Sequence, residues 1–536
     1  MLPPQVETAK QERLRAEIQG TLDSARSLAK RNQLGQFATP YELAAEITRY
    51  VGSLLPASTG GIRFADPSCG TGSFFSSALA VFGPDRIRSA VGIEIDADFA
   101  NAALSLWSER GLQVICGDFT RIVADDLPPQ APNLILANPP YVRHHHIDRE
   151  EKVRLQSLAY QLTGLQVNGL AGLYVYFVLL ASAWLEDGGY AAWLIPSEFM
   201  DVNYGTALKR YLTDRVTLVR AHRFEPADVQ FDDALVSSVV VVLRKAQPPD
   251  DHVVEFTFGG TMANPDACEQ VSLKQLRDSR KWSEFPIHAT NDRRCRNSGH
   301  GPMLADFFNI QRGIATGGNS FFVLERAEAE RRRLPTDYLR PILPSPRHLK
   351  SIIIESDGDG YPRIDRQLCV IDCDLPESVV ELRHPSLWQY LQNAEALGVK
   401  DGYLVGKRTP WYKQERRDPC PFLCTYMGRG ANEKRPFRFV LNCSRAIATN
   451  LYLMLYPKSS LGAMLHEHPE RLVEVHEILG RITGHELRGE GRVYGGGLYK
   501  IEPGELGRVH AAAFVERWPE LAVPNYSRSQ LGLFGS

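Results

Sequence analysis

Between Ile62 and Arg244 the chain repeats one pattern, a short aliphatic run followed by a stretch of helical periodicity. The runs are IRFAD, AVGIEID, QVICGD, NLILAN, YAAWLIP, VTLVRAHRF and SSVVVVLR; helix candidates lie at Gly72–Val81, Ala97–Arg110, Gly172–Leu185 and Tyr204–Thr213. Runs this uniformly apolar have no solvent face, and helices between them cover both sides of a parallel sheet. The pattern predicts a doubly wound α/β domain.

The stretch AQPPDD at Ala246–Asp251 reads as a linker, rich in proline and charge after the last run. Beyond it the alternation fails. Strand-like pieces (VVEFTF, FFNIQRGIATGGNSFFVL, FRFVLN), many prolines and a helical pattern over Ser459–Thr483 predict a separate α+β domain. The amino-terminal residues read as a charged helix ending near Gly35, so the expected segments are 1–33, 34–246 and 247–536.

Other features exclude more than they assign. A chain of 536 residues with a net charge of −2 carries no global electrostatic signal for nucleic acid, so any basic face must be local. The polar amino terminus and nine scattered cysteines fit a reducing, cytoplasmic setting. The uncharged run Gly169–Leu185 is short for a bilayer span and sits between strand-like segments, so no membrane association is expected. Cys369, Cys373, Cys420 and Cys424 read as buried thiols rather than a zinc site, and the triplet His144–His146 lacks a second ligand cluster; no metal is expected.

In an open parallel sheet ligands collect at the carboxyl ends of the strands. The first run enters Asp66-Pro-Ser-Cys-Gly70-Thr-Gly72, a turn where the backbone can pass close to a ligand before a helix opens. It lacks the third glycine of a dinucleotide fingerprint and the Lys-Ser/Thr of a phosphate loop. The second run ends in Glu94, suited to both hydroxyls of a ribose; the third ends in Asp118, the fourth in Asn138-Pro-Pro-Tyr141. An acid beside the glycine turn suits a cofactor with a positive end, such as S-adenosylmethionine.

With GQFATP at Gly35–Pro40, FADPSCGTGSF, GIEID, CGDF and NPPY in that order, the chain resembles the gamma class of amino-group DNA methyltransferases of restriction-modification systems. GLYVYF, GGYAAWLIPSEF and VQFDDALVSSVVVVL continue the likeness, and RGIATGGNSFF, RTPWYKQ and GGGLYKIEP more loosely resemble pieces of the family's recognition domain. The resemblance implies a Rossmann-like S-adenosylmethionine-dependent methyltransferase domain over 34–246 and an α+β DNA target-recognition domain over 247–536. It implies that Thr39 and Asp66 hold the methionine end of the cofactor, Glu94 the ribose and Asp118 the adenine, with Gly70 and Gly72 admitting it. Asp66 stands where relatives often have glutamate. Asn138, Pro139, Pro140 and Tyr141 would form the catalytic loop, acting on the N6 amine of an adenine flipped out of double-stranded DNA and stacked between Tyr141 and Phe231.

Basic residues with interleaved aromatics over Tyr403–Phe439 suit phosphate and base contacts; Trp411, Tyr412, Lys413, Arg416 and Arg417 are the candidates, with Arg312 added from the QRGIATGGN loop. The same NPPY loop also serves methylation of cytosine N4, of guanine in RNA and of glutamine in proteins. A non-catalytic DNA-binding subunit is a further alternative, although binding alone does not need the complete cofactor and NPPY set. No Pro-Asp with a following Glu-x-Lys lies at suitable spacing outside the methyltransferase motifs, so the family context implies a separately encoded cognate endonuclease against which methylation protects host DNA.

Overall fold

The computed structural model describes residues 4–27, 30–31, 34–56, 59–122, 129–224, 237–286, 301–429, 437–484, 486–487, 491–494 and 498–522. Two compact units are formed, Met1–Asn291 with Tyr494–Gly496, and Asp292–Val493 with Gly497–Ser536.

The first unit is built on a nine-stranded sheet. Its strands are β1 (Ile62–Asp66), β2 (Ile87–Glu94), β3 (Leu112–Cys116), β4 (Leu134–Ala137), β5 (Tyr190–Pro196), β6 (Thr217–Arg223), β7 (Ser238–Arg244), β8 (Val253–Phe258) and β9 (Ala267–Ser272), in the order β3-β2-β1-β4-β5-β7-β6-β8-β9. The alternation of side chains explains the aliphatic runs. Leu134 and Leu136 pack with Phe64 under the helices Tyr41–Leu54, Ser73–Phe82 and Ala97–Trp107. Ile135 and Ala137 join Trp193 under Arg149–Thr163, Leu173–Ala181 and Thr206–Asp214. Both faces are therefore buried. Leu173–Ala181, within the uncharged run, is a helix of this core, and no described helix is long and apolar enough to cross a membrane.

Two expectations are corrected. The sheet is mixed: β1 to β5 pair in parallel, but β7 runs antiparallel to both β5 and β6. Neighbours in sequence, β6 and β7 form an adjacent antiparallel pair, which needs no crossover helix. The boundary at 246/247 also moves. VVEFTF is β8, paired in parallel with β6, and β9 pairs antiparallel with β8, so residues beyond the linker complete the first sheet by covering the β6 edge.

The second unit is α+β. One sheet has the order β10-β18-β15-β17-β13, with β10 (Phe308–Arg312), β13 (Ile353–Ile354), β15 (Phe422–Thr425), β17 (Phe439–Asn442) and β18 (Tyr452–Pro457). A smaller one joins β11 (Val323–Glu325), β14 (Leu368–Ile371) and β12 (Leu339–Ile342). A further strand, β16 (Met427–Arg429), pairs with Leu498–Lys500. The helices Ser459–Glu467 and Arg471–Arg481 fall where helical periodicity placed them. Cys369, Cys373, Cys420 and Cys424 are buried thiols, as read from the sequence.

Candidate active site

The strand order reverses between β1 and β4, which are neighbours in the sheet, so their carboxyl ends open a crevice. From β1 the chain enters the glycine turn. Gly70 and Gly72 have φ of 54° and 90°, left-handed values that favour glycine. A Cβ on Gly72 would meet Trp107 Nε1 at 2.5 Å, whereas one on Gly70 would meet nothing within 4 Å. Gly72 is therefore required by helix packing, while Gly70 faces open space.

Two acids flank that space. The Glu94 carboxylate accepts from Gly70 N and from Asp96 N, each at 2.9 Å, one bond per oxygen, which leaves each oxygen a second lone pair. Burial raises its pKa against the pull of those backbone donors. Asp66 is 1% exposed and accepts from Ser68 N at 3.0 Å. Burial, opposed by that hydrogen bond and reinforced by the charge of Glu94, pushes its pKa up to about 8. A buried and a half-buried carboxyl group at one turn make a setting that favours a cation.

From β4 the chain enters Asn138. Its Nδ2 donates to Phe37 O at 2.9 Å and to Thr39 Oγ1 at 3.1 Å. Because the Phe37 carbonyl can only accept, the amide orientation is fixed. Asn138 Oδ1 is left buried and without a partner among the described residues. Leaving such an acceptor unmet costs about 1–3 kcal/mol, which marks the site as built for a donor. On the opposite side, Ser68 Oγ donates to the Asn138 carbonyl at 3.1 Å, tying the two strand exits together.

Pro139 is buried and Pro140 half-buried, and the locked φ of each stiffens the loop. Tyr141 is 7% exposed, donates its hydroxyl to Leu194 O at 3.2 Å and lies 5.6 Å, centroid to centroid, from the Phe37 ring. Tyr141 N donates to Gly35 O at 3.1 Å. Gly35 has φ 65°, and a Cβ there would stand 2.4 Å from Tyr141 N, so only glycine lets the segment 35–39 lie against the 138–141 loop.

Thr39, expected at the methionine end, also ties the loop to its surroundings: its hydroxyl accepts from Asn138 and its carbonyl accepts from Ser73 Oγ at 2.9 Å. Asp118 spends Oδ1 on Thr120 N and Oγ1, at 2.9 and 2.8 Å, and pairs Oδ2 with Arg121 at 3.3 Å, so it caps a turn as well as standing at the β3 exit. Phe231 lies outside the described residues. The contacts of the amino-terminal helix with the glycine turn were missed. In the helix Pro4–Ser24, buried Arg15 pairs with Glu12 and donates to Thr71 Oγ1 at 2.9 Å, while Thr71 Oγ1 donates to Gln19 at 2.8 Å. An Arg and a Glu three apart on a charged helix look like any solvated pair, so no sequence signal marked them.

In the second unit two separate parts of the sequence converge. Arg417 Nε donates to Arg312 O at 3.3 Å, and Glu415 accepts from Ala315 N at 3.3 Å, so Arg312 and the Lys413–Arg417 loop share one surface. Lys413 and Arg416 are exposed. Tyr412 is corrected: it is 0% exposed, donates its hydroxyl to Leu375 O and belongs to the core, because a large aromatic ring between two sheets contributes more by burial than by display. Trp411 is half-buried beside Phe321 and Phe322, with Nε1 donating to Glu377 at 3.0 Å. The exposed aromatic of this stretch is Tyr403, 75% exposed, with the Lys407 ammonium 3.9 Å from its ring centroid.

Comparisons with known proteins find restriction-modification methyltransferases. The model of the Eco57I restriction-modification methylase matches residues 133–230, and that of the Type II methyltransferase M.Eco57I C-terminal domain matches 279–528. Type II methyltransferase M.XamI of Xanthomonas campestris pv. amaranthicola is 28% identical over 87% of this chain and 83% of its own. M.AccI of Acinetobacter calcoaceticus is 23% identical over 90% and 86%. The Type IIL restriction-modification enzyme MmeI, solved in complex with DNA, shares the fold with a TM-score of 0.51 at 14% identity, over 78% of this chain and 60% of that one. One model falls on the 138–141 loop and the other on the second unit, so in both units the chain is similar to Eco57I-type restriction-modification methyltransferases.

Proposed function

We propose that the protein is a site-specific DNA methyltransferase that uses S-adenosylmethionine to methylate N6 of an adenine turned out of the duplex, protecting DNA from a separately encoded cognate endonuclease. The observation that carries the reading is the buried, partnerless Oδ1 of Asn138, with the amide held by Phe37 and Thr39. An exocyclic amine conjugated with a ring is a poor nucleophile. Accepting its two N–H groups at Asn138 Oδ1 and at the Pro139 carbonyl localises its lone pair and aims it. Fixed dipoles do this with no general base, and the stiff Pro139-Pro140 loop removes the reorganisation cost. Bound S-adenosylmethionine supplies an electrophilic methyl group on a sulfonium.

The residues fit that cofactor. The open face of Gly70 leaves room for it, Glu94 has lone pairs for the ribose hydroxyls, and Asp66 offers a carboxylate to the ammonium. Asp118 is assigned to the adenine end, and Tyr141 with Phe231 to the flipped base. Thr39 orients Asn138 from behind in addition to bordering the methionine end. Target recognition falls to the second unit, with phosphates met by Lys413, Arg416 and Arg417. The Type II methyltransferase relatives support the DNA substrate and the restriction-modification setting.

The test is chemical. DNA incubated with the protein and methyl-labelled cofactor is digested to nucleosides and separated. Label in N6-methyladenosine is expected; label in N4-methylcytosine would overturn the adenine assignment, and no label in DNA would overturn the substrate.

A further inference from the structure

Arg312 ends β10, the edge strand of the five-stranded sheet, and its side chain is exposed. Its guanidinium carbon lies 4.3 Å from the centroid of the Tyr426 ring. That ring is an anchored platform. Tyr426 is 3% exposed, its hydroxyl donates to Glu502 at 2.6 Å, and Glu502 pairs with Lys500 at 2.9 Å. The Lys500 ammonium stands 5.1 Å from the same ring centroid. From behind, Arg417 grips the Arg312 carbonyl.

The neighbouring arginines are spent on the protein itself. Arg408 donates to Thr316 O and Ala315 O, and Arg438 donates to Leu349 O. Arg340 pairs with Asp372. Arg416 is exposed, with no ring beneath it among the described residues. Arg312 alone among these is held over an aromatic face while no carboxylate or carbonyl among the described residues accepts from its guanidinium. A guanidinium pre-oriented on a ring loses little freedom on binding, and its rigid fork of donors matches two adjacent acceptors. In the major groove, O6 and N7 of guanine are that pair.

Building on the DNA methyltransferase reading, we propose that Arg312, stacked on Tyr426 and flanked by Lys500, reads one guanine of the target sequence. Tyr426, Lys500 and Glu502 are positioning residues for it. A phosphate contact by Arg312 is the competing outcome, and the two differ in what they do to sequence preference.

Wild type, Arg312→Ala and Arg312→Lys would be expressed in a host without DNA methylation of its own, and methylated positions mapped by sequencing. The wild-type motif should contain an invariant guanine at one position. Both variants should relax that position alone, with non-guanine sites rising about tenfold relative to the intact motif, since lysine keeps the charge but not the fork. An unchanged motif in the variants, even at a lower methylation level, overturns the proposal in favour of a phosphate contact. A wild-type motif without guanine overturns it as well. So does complete loss of marks in both variants, because one base contact should not abolish binding. A wild type that leaves no marks removes the methyltransferase reading and this one with it.

Discussion

The Asn138 amide is clamped from behind by Thr39, whose hydroxyl accepts from Nδ2 at 3.1 Å although the two residues are 99 positions apart. Thr39→Val removes that acceptor and lets the amide turn. The expected result is a five- to tenfold fall in kcat, about the worth of one hydrogen bond, with cofactor KM nearly unchanged and Thr39→Ser restoring the rate. A rise in cofactor KM at constant kcat would assign Thr39 to the methionine end alone.

Asn138→Ala should lower kcat by about 100- to 1000-fold while cofactor binding persists, because the amide acts on the target amine. Single-turnover methylation and cofactor titration check the two halves separately. Turnover within a factor of a few of wild type would refute the role.

Gly35 and Gly70 make a paired test, since both have positive φ but different surroundings. Gly35→Ala would drive a methyl against the Tyr141 backbone, so it should cut kcat and lower thermal stability together. Gly70→Ala meets no protein atom and should keep most stability, costing about 1 kcal/mol for the backbone, but should weaken cofactor binding by occupying its space. Cofactor affinity left intact in Gly70→Ala would show that nothing is bound over that turn.

Asp66 gives a pH dependence. Its pKa is pushed from 3.8 to about 8 in the folded protein, so the folded state holds its proton more tightly than the unfolded chain. The stability this group contributes is fully present below the unfolded value and is lost as pH rises through about 8. Without cofactor, Asp66→Asn should therefore gain on wild type by up to about 1.4 kcal/mol per pH unit between about pH 6 and pH 8, then hold level. Melting curves across this range check it; a difference independent of pH would mean that Asp66 is already ionised.

In the second unit, Tyr412→Ala should destabilise by about 3–5 kcal/mol through the cavity it leaves, whatever the DNA. Neutralising Lys413, Arg416 and Arg417 together should leave the melting temperature nearly unchanged. It should weaken specific and non-specific DNA alike and flatten the salt dependence by about one unit per lost phosphate contact. An unaltered slope would make this surface a solvated face.

Strand positions, both buried faces of the sheet and the four strand-exit residues were legible because they depend on local periodicity and on where a strand must end. β1 and β5 have the bounds IRFAD and YAAWLIP that the aliphatic runs announced. The direction of β7, the capture of β8 by β6, the burial of Tyr412 and the convergence of Arg312 with Arg417 were not legible. Each depends on which distant surface a segment meets, and a strand reads the same in either direction. The same distinction runs through the site itself. NPPY announces an amide and a stiff loop, but only the folding back of Phe37 and Thr39 decides that Nδ2 is satisfied and Oδ1 is left to accept. Hydrogen bonds between residues about a hundred positions apart leave no local pattern, so tertiary structure alone turned a conspicuous tetrapeptide into an oriented acceptor.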